Sequence, residues 1–173
     1  MRKIKVKVKG KAPLLMNRFS VEEKISSRTK KVYDPKEEAE RKIYRTDSGK
    51  LYLPNTHFKA SMIKSGTDFK MTGKKSYKEY VKAGIFIEPE EIILDPQKYE
   101  IHEEAVVIQR ARVMSWRPKF KEWSCEFEIE VADEMLNADI LKEILIAAGK
   151  YKGVGDHRPE YGRFEVVEWK LSK

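Results

Sequence analysis

Two periods of apolar residues organise this chain. Near the carboxyl end the spacing is helical: Ile140, Leu141, Ile144, Leu145 and Ala148 fall on one stripe and predict a helix over 138–148. Asn137 or Asp139 can cap its start, and Gly149 stands where a helix commonly stops. Phe164, Val166, Val167, Trp169 and Leu171 then predict a terminal strand over 163–171. At the amino end the period is two. Ile4, Val6 and Val8 alternate with Lys3, Lys5, Lys7 and Lys9, which predicts a half-buried strand over 2–9 with a lysine row on its open face. The same alternation returns over 123–131, where Trp123, Cys125, Phe127, Ile129 and Val131 are interleaved with Ser124, Glu126, Glu128 and Glu130. If the two strands are neighbours, lysines face glutamates and each pair is modestly stabilising. The open sheet face is then neutralised rather than a basic platform.

Between these ends the signals are shorter. Asp34 and Pro35 open a helix over 35–43, with acidic Glu37, Glu38 and Glu40 early and Arg41 and Lys42 late, the order that suits the helix dipole. Leu51, Tyr52 and Leu53 read as a short strand, and Pro54-Asn55-Thr56 starts a second helix, near 56–65, with Phe58, Met62 and Ile63 inward. A third helix is expected at about 76–83 from Tyr77, Tyr80 and Val81. Ile85 to Leu94 is a strand broken by Pro89, and 104–131 reads as a long hairpin whose basic part covers 104–123. Residues 17–33 show no sustained period and an excess of basic over acidic side chains, and are expected to form a mobile arm. The expected architecture is α+β: a ferredoxin-like, RNA-recognition-motif-like antiparallel sheet backed by two helices, with a basic β-hairpin insertion and a flexible arm. The strands at 2–9, 123–131 and 163–171 should share the sheet.

Charge sharpens this picture. The 173 residues are one domain by length, 1–173, and hold 36 Lys and Arg against 28 Asp and Glu, a formal net charge of +8. That sign permits a polyanionic partner, although a chain with 37% charged residues can equally use them in surface ion pairs. A single cysteine, Cys125, excludes an internal disulfide and a multi-cysteine metal site. No secretory signal and no apolar run of spanning length is present, so a cytoplasmic protein without membrane contact is expected. No P-loop, nucleophile motif or paired-carboxylate signature occurs, and His57, His102 and His157 lack metal-ligand spacing, so neither cofactor nor metal is expected.

The helix-to-strand connector stands apart from an ordinary loop. It runs Gly153-Val154-Gly155-Asp156-His157-Arg158-Pro159-Glu160-Tyr161-Gly162-Arg163-Phe164. Glycines there let main-chain N–H groups approach a phosphate or another main chain closely. A helix, then Gly-hydrophobic-Gly, a polar run, Gly-x-aromatic and a final strand resembles the carboxyl-terminal glycine-rich signature of the RAMP superfamily, the RNA-recognition-motif-like proteins of CRISPR systems. The matching positions are Gly153, Gly155, Gly162 and Phe164. Phe164 replaces the usual last glycine, and the polar run is short of basic residues. The chain also resembles small stand-alone phage and archaeal proteins, through its Tyr33-x-Pro35 opening and the Gly153-x-Gly155-Asp156-x-Arg158-Pro159 loop. The first resemblance implies a subunit that binds RNA, in some relatives cleaving it with a histidine such as His57 or His157.

Residue composition points the same way. Arg110, Arg112, Arg117 and Lys119 surround Trp116 with no acid nearby in sequence, and Lys74 and Lys75 lie in a second basic stretch with Phe69, Tyr77 and Tyr80. Interleaved cations and rings suit single-stranded nucleic acid, by phosphate contact and base stacking. The expected interface is therefore Arg110, Arg112, Trp116, Arg117, Lys119, Lys74, Lys75, Arg158 and Arg163 with the backbone of Gly153, Gly155 and Gly162. The expected function is non-catalytic binding of single-stranded RNA or DNA, with homo-oligomeric assembly along the strand. The alternatives are a structural component of a virus or prophage particle and a metal-independent RNA endonuclease.

Overall fold

A computed structural model describes residues 1–19 and 34–172. Most of the arm expected at 17–33 lies outside the described residues. Strand β1 (Arg2–Gly10) is the centre of the main sheet. It pairs antiparallel with β8 (Ser124–Val131) on one side and β9 (Phe164–Ser172) on the other. Beyond β8 run β4 (Ile85–Glu88) and β5 (Glu91–Asp95), end to end, and β3 (Tyr52–Pro54) adds to β5. Of the helices, α2 (Asn55–Gly66) connects the β1 side to β4, and α4 (Ala138–Ala147) connects β8 to β9. The neighbour order β9-β1-β8-β4 with these two crossovers is the ferredoxin-like, RNA-recognition-motif-like arrangement expected from the sequence.

The alternating pattern decides which face is covered. Ile4, Val6 and Val8 meet Phe127, Ile129 and Ile85 beneath the two helices, which contribute Phe58, Met62, Leu141, Ile144 and Leu145. Phe58 stacks on Phe127 with ring centroids 4.6 Å apart, and the Ser65 hydroxyl ties the helices by donating to the Ile144 carbonyl at 2.9 Å. On the other face Lys3, Lys5 and Lys7 stand opposite Glu130, Glu128 and Glu126. Lys3 reaches Glu130 at 2.7 Å and Glu128 at 3.3 Å, and those carboxylates hold its ammonium above the usual lysine range. The open face is a charge zipper.

Asn137 caps α4 by accepting from the Ile140 amide at 2.8 Å. The stop differs from expectation. Gly149 lies inside a π turn (Ala148–Lys152) that prolongs α4, and Gly153, at φ +74°, ends it. Gly149 is there for packing: a β-carbon on it would sit 2.2 Å from the Phe164 carbonyl.

A smaller sheet stands beside the main one. Its hairpin, β6 (Glu100–Ile108) and β7 (Ala111–Phe120), turns at Gln109 and Arg110, both at positive φ. The short β2 (Leu14–Leu15) pairs with the base of β7. Helix α1 (Pro35–Arg41), capped by Asp34 through the Lys36 amide, packs on β7, and Lys42 just beyond it reaches Ser115 at 3.0 Å. Helix α3 (Lys78–Gly84) follows the basic 70–76 loop and buries Val81. No helix among the described residues is long and apolar enough to cross a membrane.

Candidate nucleic-acid interface

The glycine loop and the hairpin, far apart in sequence, meet at Arg117. This guanidinium is buried, its side chain only 6% exposed, and forks between two carboxylates: Glu104 on β6 at 2.5 Å and Asp156 in the glycine loop at 2.5 Å. A planar fork suits two carboxylates in a way a lysine cannot. Arg117 is therefore an internal brace between hairpin and loop, and its charge is spent on protein rather than offered to a strand. Asp156 takes this distant partner although Arg158 lies two residues away in sequence, while Arg163 donates from Nε to the Pro159 carbonyl at 2.6 Å.

The loop's glycines serve the same closure. Gly162 has φ +82°, and a β-carbon on it would lie 1.7 Å from the Val154 carbonyl oxygen. Val154 donates to the Gly162 carbonyl and Gly162 to that of Pro13, at 3.0 and 2.8 Å. Gly155 packs on the Leu15 carbonyl, to which Asp156 donates at 2.9 Å. Of the two partners glycines can admit, another main chain occupies Gly153, Gly155 and Gly162; the loop's exposed side chains are those of His157, Arg158, Pro159, Glu160 and Arg163.

The hairpin carries the remaining expected groups. Arg110 sits in the turn and Arg112 is the second residue of β7, both exposed. Trp116 is half-buried on the outer face shared with Arg112 and Met114, which alternate two residues apart. Lys119 lies 3.9 Å from Glu100. Lys74 and Lys75 are exposed just past Gly73, in a loop whose preceding Asp68 pairs with Lys152 at 3.3 Å.

Glu104 gathers a cluster that sequence reading missed. His102 Nε2 and His157 Nδ1 lie 3.3 and 3.5 Å from the carboxylate oxygen that Arg117 grips, and Tyr161 stacks against both imidazoles at 5.5 and 5.3 Å. Burial raises the affinity of Glu104 for a proton, but the His102 hydrogen bond and the Arg117 charge outweigh it and hold the carboxyl below its usual range. His102 and Glu104 share a strand face at spacing two, a legible signal; His157, in the left-handed region at φ +53°, had none. Among the described residues no group of His, Cys, Asp and Glu is disposed to hold a metal ion.

His57, in the first turn of α2, is mostly buried beside Tyr44, ring centroids 5.5 Å apart, with Nδ1 unpartnered among the described residues. Burial, then the Arg158 charge, push its pKa below the ordinary 6.5. The unfolded chain therefore binds this proton at a higher pH than the folded one. Stability is full above about 6.5 and is lost as pH falls from there through the folded value. Urea midpoints should decline over that window in the parent protein and less in His57→Asn; equal declines would show that His57 is not the group responsible.

No family model matches the sequence, and no curated protein does. Among solved structures, a chain in the cryo-EM structure of the Type III-B Cmr-beta bound to cognate target RNA has a similar fold, with a TM-score of 0.58 over 99% of this chain at 12% identity. This chain covers 61% of that one. The likeness is one of fold.

Proposed function

We propose that this protein binds single-stranded nucleic acid without cleaving it, as a RAMP-type subunit whose copies lie side by side along the strand. The observation that carries this reading is a set of exposed cations, without ion-pair partners among the described residues, on the hairpin and on the two loops tied to it. The sheet lysines Lys3 and Lys7 are matched by glutamates, whereas Arg110, Arg112, Lys74, Lys75 and Arg158 have no ion-pair partner among the described residues. Those five occupy the hairpin, the 70–76 loop and the glycine loop, and two bridges tie these segments together, Arg117 to Asp156 and Lys152 to Asp68. Exposed cations on segments tethered in this way, with Trp116 on the hairpin face of Arg112, suit a flexible polyanion with exposed bases. The fold shared with a chain of an RNA-bound complex supports the same reading.

Arg110→Ala with Arg112→Ala tests it, since neither side chain is buried. Filter binding to single-stranded RNA and DNA should weaken, and the slope of log K against log salt should fall by about 1.4 for two lost phosphate contacts. Lys7→Ala, which removes a lysine already paired with Glu126, should change both little. Undiminished affinity in the double variant would remove the hairpin from the interface. Recovery of the strand intact supports binding alone; cleavage that disappears in His157→Ala would instead favour an endonuclease built on the Glu104–His157 pair.

A further inference from the structure

Where α4 runs into its π turn, a cavity of about 270 Å³ opens between the end of α2, the turn and the glycine loop. Lys64 comes from α2, Tyr151 and Lys152 from the turn, and His157, Arg158 and Pro159 from the loop. Here the turn places Tyr151 at the rim, 60% exposed, with the Lys150 ammonium 5.2 Å from its ring centroid.

The charges of the cavity do not cancel. Its one carboxylate, Asp156, shares the Arg117 guanidinium with Glu104 from outside the cavity, and Lys152 is paired with Asp68. Lys64 and Arg158 have no ion-pair partner among the described residues, which leaves two uncompensated positive charges facing one small space. Glu104 draws Nδ1 of His157, so Nε2 is the nitrogen that remains to serve a ligand. An internal phosphodiester carries one negative charge, whereas a terminal monoester carries about −1.5 to −2 at neutral pH and three strong acceptor oxygens. The volume is near the lower end of small-ligand sites, enough for one nucleotide end and too little for a length of strand.

We infer that this cavity holds the terminal phosphate monoester of a nucleic-acid strand, with Lys64 and Arg158 on the phosphate and the Tyr151 ring against the end base. The inference rests on the binding reading above and adds to it the recognition of an end.

Fluorescence anisotropy with the full chain and short oligonucleotides of one sequence tests it, the ends being 5′-phosphate, 3′-phosphate or hydroxyl at both. One phosphorylated form should bind about tenfold tighter than the hydroxyl form, as one or two charge-assisted hydrogen bonds provide. The arm that gains identifies which end enters. In Lys64→Ala and Tyr151→Ala the ratio should fall toward one. Strand binding with equal affinity for all three ends overturns the inference and leaves the binding reading standing. If no strand binds, that reading fails, and titration with nucleoside 5′- and 3′-monophosphates against the nucleoside decides the cavity by itself. Monophosphate binding lost in Lys64→Ala supports it, and no difference from the nucleoside refutes it.

Discussion

Gly162→Ala is expected to destabilise the protein by about 2–5 kcal/mol, the sum of a left-handed backbone forced on a residue with a β-carbon and of overpacking against a rigid neighbour. The upper end is expected because the obstacle is main chain. The new atom would lie 1.7 Å from the Val154 carbonyl oxygen, and Val154 is held by its own hydrogen bond to Gly162. No rotamer change relieves that contact, so the loop must open and release Gly162 from Pro13 at the same time. Gly73→Ala is the control. Gly73 also has positive φ, +62°, but a β-carbon there meets nothing within 4 Å, so it bears only the backbone term, about 1–2 kcal/mol. Urea denaturation of the two variants separates the contributions. Equal midpoints would mean that the close approach at Gly162 is not a constraint.

Arg117→Ala should cost about 3 kcal/mol, the lower part of the range for breaking a buried ion pair. The lower part applies because Glu104 and Asp156 keep 32% and 29% of their side chains exposed, so water softens their mutual repulsion once the guanidinium is gone. Arg117→Lys should recover only a fraction, since a single ammonium cannot satisfy two carboxylates in the fork geometry. Arg117→Met combined with Glu104→Gln and Asp156→Asn should recover most of the loss, because a buried apolar side chain among neutral partners leaves no charge stranded. Hydrogen exchange gives a second measure: amides of β6 and β7 and of the glycine loop should lose protection together in Arg117→Ala. Stability equal to the parent's, or loss of protection on one side only, would refute a brace shared by hairpin and loop.

Much of the scaffold was legible because its signals are local or strictly periodic. The alternation at Ile4, Val6 and Val8 and at Cys125, Phe127 and Ile129 can bury one face only in one register, and that register sets Lys3, Lys5 and Lys7 against Glu130, Glu128 and Glu126. Asn137 and Asp34 were readable as caps because capping is settled within a few residues. The end of α4 was misplaced because Gly149 and Gly153 both look like stops, and only the Phe164 main chain, packed where a Gly149 side chain would be, shows which glycine serves which purpose.

The interface was legible as composition and not as arrangement. Arg110, Arg112 and Arg117 read alike along the chain, yet two are exposed at the tip of a hairpin and the third is buried at its base. Nothing near Arg117 in sequence announces Asp156, which lies 39 residues away. The same separation hid the meeting of His102, Glu104 and His157, and the cavity that Lys64 and Tyr151 share with Arg158.

The order of residues was enough to specify the sheet, its two covering helices and the neutrality of the open face, since periodicity and cross-strand register follow from burying apolar side chains. Which cations stay available to a partner depends instead on how distant segments pack. A charge is available or spent according to the carboxylates within a few ångströms of it, and chain order does not fix those distances once hairpin, helix end and glycine loop pack together.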